Sequence, residues 1–314
     1  MINKEDTFEF ISDYSTRLDI LLSESQKLSR NHFRKLIKDG FVIVNDNVVK
    51  KTKFKVNVGD HIKYREFKYI KDLSDIVPQR IKINIVYEDE NIIVVNKPEG
   101  LVVHPAAGNQ RNTLLNGIIF KMKFENILNE RPGVVHRLDK KTSGVIIFAK
   151  NEYTLNFLIN QFKSREVEKK YLVLVKGIIN TNAANLTKID NKNFFIKGNI
   201  KRSKYNRKLF SFSDTGKEAI TYFKIIKYIS KDFTLLEAYP KTGRTHQIRV
   251  SLASINHPVV GDDAYSRNSI SYVHMFLHSY SLKINVPDKG ELEFKANLPN
   301  FWKNIPGVYS LYKV

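Results

Sequence analysis

The chain has 314 residues, 42% of them hydrophobic, enough to bury a core in one large domain or two unequal ones. With 52 Lys and Arg against 32 Asp and Glu the formal net charge is +20, a field that attracts polyanions and makes nucleic acid the leading partner. There is no Cys, which removes disulfides, thiolate catalysis, iron–sulfur clusters and Cys-based zinc sites together.

Residues 1–14 read as an N-terminal extension that lacks the apolar stretch of a signal peptide. No apolar run reaches the roughly 20 residues a membrane span needs, so a cytoplasmic chain with no membrane partner is expected. Residues 15–64 form a compact pattern. Thr16 is placed to cap a helix through Leu18, Leu21 and Leu22, and Ser29 to cap a second that buries Phe33, Leu36 and Ile37 and stops at Gly40. On another face the second helix carries Arg30, Arg34 and Lys38 at i, i+4 and i+8, a stripe suited either to a phosphate backbone or simply to solvent. Short strands follow at Phe41 to Val44 and Asn47 to Val49 around the turn Asn45-Asp46, and a further strand and turn lie near Val56 to Ile62.

Residues 65–80 have no clear periodicity and read as a linker. Beyond it, residues 81–314 alternate strand and helix signals. Strands are expected at Ile81 to Tyr87, Asn91 to Asn96, Val145 to Ala149, Lys170 to Lys176 and Ala219 to Tyr228, with a helix over Tyr153 to Lys163. No strand-Gly-loop-helix fingerprint is present, so the fold class expected is α+β with a mixed, largely antiparallel sheet. Phosphate-loop, dinucleotide, nucleophile-elbow and HExxH motifs are all missing. His274 and His278 are spaced like helical metal ligands, but the segment after them alternates like a strand and no further ligand is near, so no metal is expected.

Three polar segments remain. Gly133-Val134-Val135-His136-Arg137-Leu138-Asp139-Lys140-Lys141-Thr142-Ser143-Gly144 runs into an apolar strand and sets a carboxylate at the mouth of a core. Glu168-Lys169-Lys170-Tyr171 places an aromatic at the start of a buried strand. Lys241-Thr242-Gly243-Arg244-Thr245-His246-Gln247-Ile248-Arg249 leads into a helix, with Thr245 as the candidate N-cap. Taken singly, Asp139 could accept backbone N–H groups of its own turn, Tyr171 could be a core aromatic, and Arg244 and Arg249 could be surface charges.

Together these segments resemble the RluA family of pseudouridine synthases, and most of all its RluD branch, which modifies large-subunit ribosomal RNA. His136-Arg137-Leu138-Asp139, Lys170-Tyr171, Thr242-Gly243-Arg244-Thr245-His246-Gln247-Ile248-Arg249 and His257-Pro258-Val259-Val260-Gly261-Asp262 carry the likeness, with Asn96-Lys97-Pro98 and Val102-Val103-His104-Pro105. Residues 15–62, with Arg17-Leu18-Asp19 and Val58-Gly59-Asp60, resemble the S4 RNA-binding module.

The resemblance implies a catalytic domain of pseudouridine-synthase type that isomerises uridine in RNA, with no cofactor. It assigns Asp139, Tyr171 and Arg249 to catalysis. His136, Arg137, Arg244, His246 and Gln247 bind substrate on this reading, with Arg30, Arg34 and Lys38 holding RNA from the S4 module. A monomer is expected. Transfer RNA as substrate, and a catalytically silent RNA-binding or ribosome-assembly protein, stay open as alternatives. Residues 180–213 match the family weakly and are the place where an RNA target could be chosen.

Overall fold

A computed structural model describes residues 6–26, 30–66, 76–105, 109–122, 132–182, 186–206, 208–266 and 272–312, and the chain divides into two compact units, 1–70 and 71–314.

The first unit contains β1 (Asp6–Ile11), β2 (Thr16–Arg17), α1 (Leu18–Gln26), α2 (Arg30–Asp39), β3 (Val42–Val44), β4 (Asn47–Val48), β5 (Lys55–Val56) and β6 (His61–Glu66). Leu18, Leu21 and Leu22 of α1 meet Phe33, Leu36 and Ile37 of α2 at helical spacing, and Val42, Val44, Ile62 and Tyr64 close the core from the sheet. Asn45 and Asp46 both adopt positive φ (47° and 62°), as a two-residue hairpin between β3 and β4 requires. The expected extension at 1–14 is corrected: β1 pairs antiparallel with β6 as the outer strand of the sheet β1-β6-β3-β4. Its only sequence cue was Thr7-Phe8-Glu9-Phe10, too short to separate a strand from a tail without its partner. Ser29, expected to cap α2, and most of the expected linker lie outside the described residues.

The second unit has β7 (Asn84–Glu88), β8 (Ile92–Lys97), α3 (Leu114–Lys121), β9 (Ser143–Ala149), α4 (Glu152–Ser164), β10 (Glu168–Lys176), β11 (Thr187–Lys188) and β12 (Asn193–Arg202). It continues with β13 (Phe210–Phe212), β14 (Lys217–Ile229), β15 (Phe233–Pro240), α5 (Gln247–Ser254), β16 (Leu277–Val286) and β17 (Gly290–Lys295). These strands form one sheet of order β11-β12-β14-β15-β10-β16-β9-β8-β7, with β13 on β12 and β17 on β16. Every pairing is antiparallel except β16 with β9, so the unit is mixed α+β as expected. β9 is buried along its whole length, which is why Ser143–Ala149 reads as a continuous apolar run rather than an alternation.

That parallel joint needs Gly144. With φ at +113°, a Cβ there would collide with the backbone of Ser279, its partner on β16. One face of the sheet packs α5 through Ile248, Leu252 and Ile255 against Val173, Phe223 and Leu236. Leu155 and Leu158 of α4 join the cluster of Val145, Ile147 and Leu282. His278, weighed above as a metal ligand, is fully buried in β16, where Nδ1 meets the Ser143 hydroxyl at 2.9 Å and Nε2 the Ala296 carbonyl at 3.1 Å. No helix among the described residues is long and apolar enough to cross a membrane.

Candidate active site

The loop before β9, the start of β10 and the turn into α5 converge on a cavity of about 720 Å³ whose lining includes Asp139, Tyr171 and Arg249. Each is set by a different local device. Asp139 opens a tight turn in which the Thr142 N–H donates to the Asp139 carbonyl at 3.1 Å, so the turn is closed by backbone and not by the carboxylate. The Lys140 carbonyl beside it accepts from the Gly100 N–H at 2.8 Å and from Lys97 Nζ at 3.1 Å. Lys97 is fully buried and spends its other protons on the carbonyls of Pro98 (2.9 Å) and Leu101 (2.8 Å). Burial pushes its ammonium down to about 7 against the pull of Asp139 and Glu99.

Tyr171 sits where the pairing of β10 with β16 slips by one residue, between Lys170 and Tyr171. Such a bulge re-aims a side chain. Its ring reaches both the α5 core and the α3 core. Burial, reinforced by Asp139 and opposed by a hydrogen bond with Ser279, pushes the phenol up to about 12.

Arg249 is buried on the first turn of α5. Its Nε and NH2 clasp Asp262 at 2.6 and 2.8 Å, and its NH1 reaches Asp139 Oδ2 at 3.1 Å. Burial opposes the charge, but Asp262 and Asp139 outweigh it and raise the arginine pKa further. The Tyr265 ring covers the guanidinium at 5.1 Å. Asp262, seen in the sequence only as part of a motif, is therefore a site residue. It is 1% exposed, and the Ala264 N–H donates to it as well.

The turn into α5 departs from expectation. The N-cap is His246 and not Thr245; it has φ of +57° and makes no capping hydrogen bond. A positive φ on a non-glycine residue marks a backbone held by its surroundings. Here Tyr265 holds it: the hydroxyl accepts the Phe210 N–H at 2.9 Å and lies 2.9 Å from His246 Nδ1. Assigning the Tyr265 proton to Nδ1 leaves the imidazole proton on Nε2, 3.8 Å from Asp139 Oδ2. Burial, aided by Arg249 and Arg137, lowers the imidazole pKa despite Asp139, so the ring is neutral at pH 7.

Two residues expected to bind substrate make hydrogen bonds within the fold. Gln247 is buried; its Oε1 accepts from Thr242 Oγ1 (2.7 Å) and the Arg244 N–H (2.9 Å), and its Nε2 donates to Ile220 O (3.0 Å) and Thr221 Oγ1 (2.9 Å). That set ties the turn to β14 and exhausts the amide donors. His136 accepts the Ile147 N–H on Nε2 at 3.1 Å and stacks on Phe162, and burial lowers its pKa to about 3. It anchors the loop as a neutral ring. Arg137 is exposed at the rim, and Arg244 is tied through Nε to the Glu218 carbonyl at 2.9 Å with its other nitrogens left over. Lys163, Arg165, Lys169 and Lys241 complete a basic mouth that sequence reading passed over. Burial and the neighbouring Lys241 lower the Lys169 ammonium to about 8.

In the first unit, Asp19 is fully buried and gathers Arg17 (3.0 Å), Arg30 (2.8 Å) and Arg34 (3.8 Å). The basic stripe is thus partly consumed at home, while Lys38 stays exposed on the same helix.

Residues 91–254 match the family model for RNA pseudouridylate synthase, and residues 16–62 match the S4 domain. The chain belongs to the RNA pseudouridylate synthase family. It is 39% identical over 305 residues to an uncharacterised RNA pseudouridine synthase of Aquifex aeolicus, with 92% of each chain covered. It is 37% identical to the ribosomal large subunit pseudouridine synthase D of Borreliella burgdorferi, covering 93% of this chain and 88% of that one. Human RNA pseudouridylate synthase domain containing 1 superposes with a TM-score of 0.57 at 25% identity, over 72% of this chain and 87% of that one. As a pseudouridine synthase the chain takes RNA as its substrate, and the cavity around Asp139 lies within the matched segment.

Proposed function

We propose that the chain isomerises uridines of large-subunit ribosomal RNA, with Asp139 as the reacting carboxylate. The observation that carries this reading is the meeting of Asp139, Tyr171 and Arg249 in one cavity of a chain whose relatives include synthases named for that RNA. The reaction breaks the bond from C1′ to N1, turns the uracil, and joins C1′ to C5; C5 gives up its proton to solvent and the freed N1 takes one up. Its product is an isomer, so nothing need be supplied.

Arg249 holds Asp139 by Oδ2, which leaves Oδ1 to act, whether by adding to C1′ or by taking the C2′ proton. Asp262 fixes that guanidinium from behind. A uracil stacked in RNA is out of reach and must be turned out at a cost of a few kcal/mol. Tyr171 offsets part of it, since a base on an aromatic ring is worth about 1 to 3 kcal/mol. With its pKa pushed up to about 12 the phenol keeps its proton at pH 7, which suits a stacking platform better than a phenolate base. Arg137 at the rim fills the space that the base leaves, and Lys163, Lys169 and Lys241 receive phosphates. Arg30, Arg34 and Lys38 of the S4 unit add a grip that weakens with salt. The chain works as a monomer in the cytoplasm.

The test is tritium release from ribosomal RNA labelled at C5 of uridine. The parent chain releases tritium, and Asp139→Asn, with an unchanged melting temperature, does not. Release by the folded variant removes Asp139 from the chemistry; no release by the parent from any large-subunit RNA removes the function.

A further inference from the structure

The hairpin of β12 and β13 is a feature that the chemistry above leaves unused. Its pairing runs from Ile200 with Phe212 to Arg202 with Phe210, and residues 203–206, 208 and 209 lie at the tip. From Lys201 to Lys208 the sequence is Lys-Arg-Ser-Lys-Tyr-Asn-Arg-Lys, five cations without a carboxylate. Lys204, Lys208 and the whole Tyr205 side chain are exposed.

The tip is built rather than slack. The Ser203 N–H donates to the Leu209 carbonyl and the Leu209 N–H to the Asn206 carbonyl, each at 2.9 Å. Ser203 Oγ accepts from the N–H groups of Tyr205 and Asn206 at 3.3 Å, and Asn206 Oδ1 accepts from Lys208 N at 2.9 Å. Nothing in this set uses the Tyr205 ring, so folding does not account for its place.

At its base the hairpin is wired to the reaction centre. The Phe210 N–H donates to the Tyr265 hydroxyl, and the Phe210 ring meets the His246 ring edge-on at 5.5 Å. Tyr205 lies five positions before Phe210, a reach of at most about 18 Å in extended chain. Between hairpin and α5 lies a groove of about 640 Å³, bordered by Ser203, Phe210, Ala253 and Pro258.

We infer that the β12–β13 tip is a second RNA-binding element, on which Tyr205 stacks an unpaired base within a few nucleotides of the target uridine while Lys204 and Lys208 hold its phosphates. The chemistry fits single-stranded RNA: cations for the backbone and an aromatic face for a base, a pairing that tolerates many sequences. The hydrogen bonds of the tip, and that of Phe210 to Tyr265, set where that base sits relative to Asp139. This inference rests on the reading of the chain as a synthase of ribosomal RNA.

The experiment compares the full chain with Tyr205→Ala, Tyr205→Phe and the pair Lys204→Ala with Lys208→Ala, using a large-subunit RNA fragment with an unpaired target loop. Tyr205→Ala is expected to raise Kd and KM about tenfold, the size of one lost stack. Its kcat at saturating RNA and its melting temperature stay unchanged, and Tyr205→Phe behaves like the parent. Removing both lysines lowers the slope of log Kd against log salt by roughly 1.4, or about 0.7 for each single-strand phosphate contact. An unchanged Kd in Tyr205→Ala, or an unchanged slope in the lysine pair, overturns the inference. Kd is read in the Asp139→Asn background as well. A parent that releases no tritium, yet whose RNA binding depends on Tyr205, would sink the proposed reaction and leave the tip as an RNA surface.

Discussion

Two buried ion clusters, one in each unit, solve opposite problems with the same residue types. In the S4 unit a single carboxylate, Asp19, is surrounded by Arg17, Arg30 and Arg34, each about two-fifths exposed. In the catalytic unit a single guanidinium, Arg249, is shared by Asp262 and Asp139. The first cluster turns surplus positive charge outward, where a phosphate backbone can meet it. The second leaves surplus negative charge on Asp139, at the wall of a cavity. In each case a buried group fixes the geometry of a more exposed one of opposite charge.

The comparison can be broken from either side. Asp262→Ala removes the bidentate partner of a buried guanidinium and is expected to cost about 3 to 5 kcal/mol in urea unfolding of the catalytic unit, with tritium release falling by a larger factor than stability explains. A variant as stable as the parent would show that Asp262 does not fix Arg249. Lys97→Met takes the donor from the Pro98 and Leu101 carbonyls and one of two donors from the Lys140 carbonyl, which keeps the Gly100 N–H; about 2 to 4 kcal/mol is expected, with kcat reduced because the turn beside Asp139 loses one of its anchors.

Asp19→Ala comes next. Its arginines are partly solvated, so about 1 to 3 kcal/mol is expected in the S4 unit. Burial disfavours the Asp19 carboxylate, but hydrogen bonds from Arg30 and Arg17 outweigh it and hold its pKa below 3.8. A lowered carboxylate pKa stabilises the fold above the unfolded value, so this contribution fades as pH falls below 3.8 and through the lower folded value. In Asp19→Ala that acid limb flattens; an unaltered pH profile would assign acid unfolding elsewhere. The smallest effect belongs to Lys38→Ala, which should leave folding alone and lower the salt slope of RNA binding by about 1, in contrast to Arg30→Ala, which loses stability as well.

Legibility in the sequence followed how local each signal was. Helical spacing in Leu18, Leu21 and Leu22 and the apolar run of β9 needed no partner to be read. The strand expected at Ala219 to Tyr228 is there as β14, whose burial alternates, whereas β1, α3, β12, β13 and β15 were missed or left vague, because their register comes from a neighbouring strand. Among site residues, the motifs brought Asp139, Tyr171 and Arg249 forward together, and the cavity joins them. Gln247 and His136 stand in the same motifs and looked equally available, yet the Gln247 amide is spent on backbone and neighbouring side chains and His136 gives Nε2 to the Ile147 N–H. A motif reports that a position matters and is silent on which way its donors point. Asp262 and the four basic residues at the mouth were given no role for the converse reason, since only folding brings 163, 165, 169, 241 and 262 to the place of 139.

By itself the sequence determined the charge that calls for a polyanion, the apolar periods that make two cores, and the glycine without which β9 could not lie against β16. Tertiary structure alone decided which carboxylate is clasped by two nitrogens and which is held by one at the cavity wall. That arrangement depends on Arg249 reaching Asp262, 13 positions away, with two nitrogens at 2.6 and 2.8 Å, and Asp139, 110 positions away, with a third at 3.1 Å.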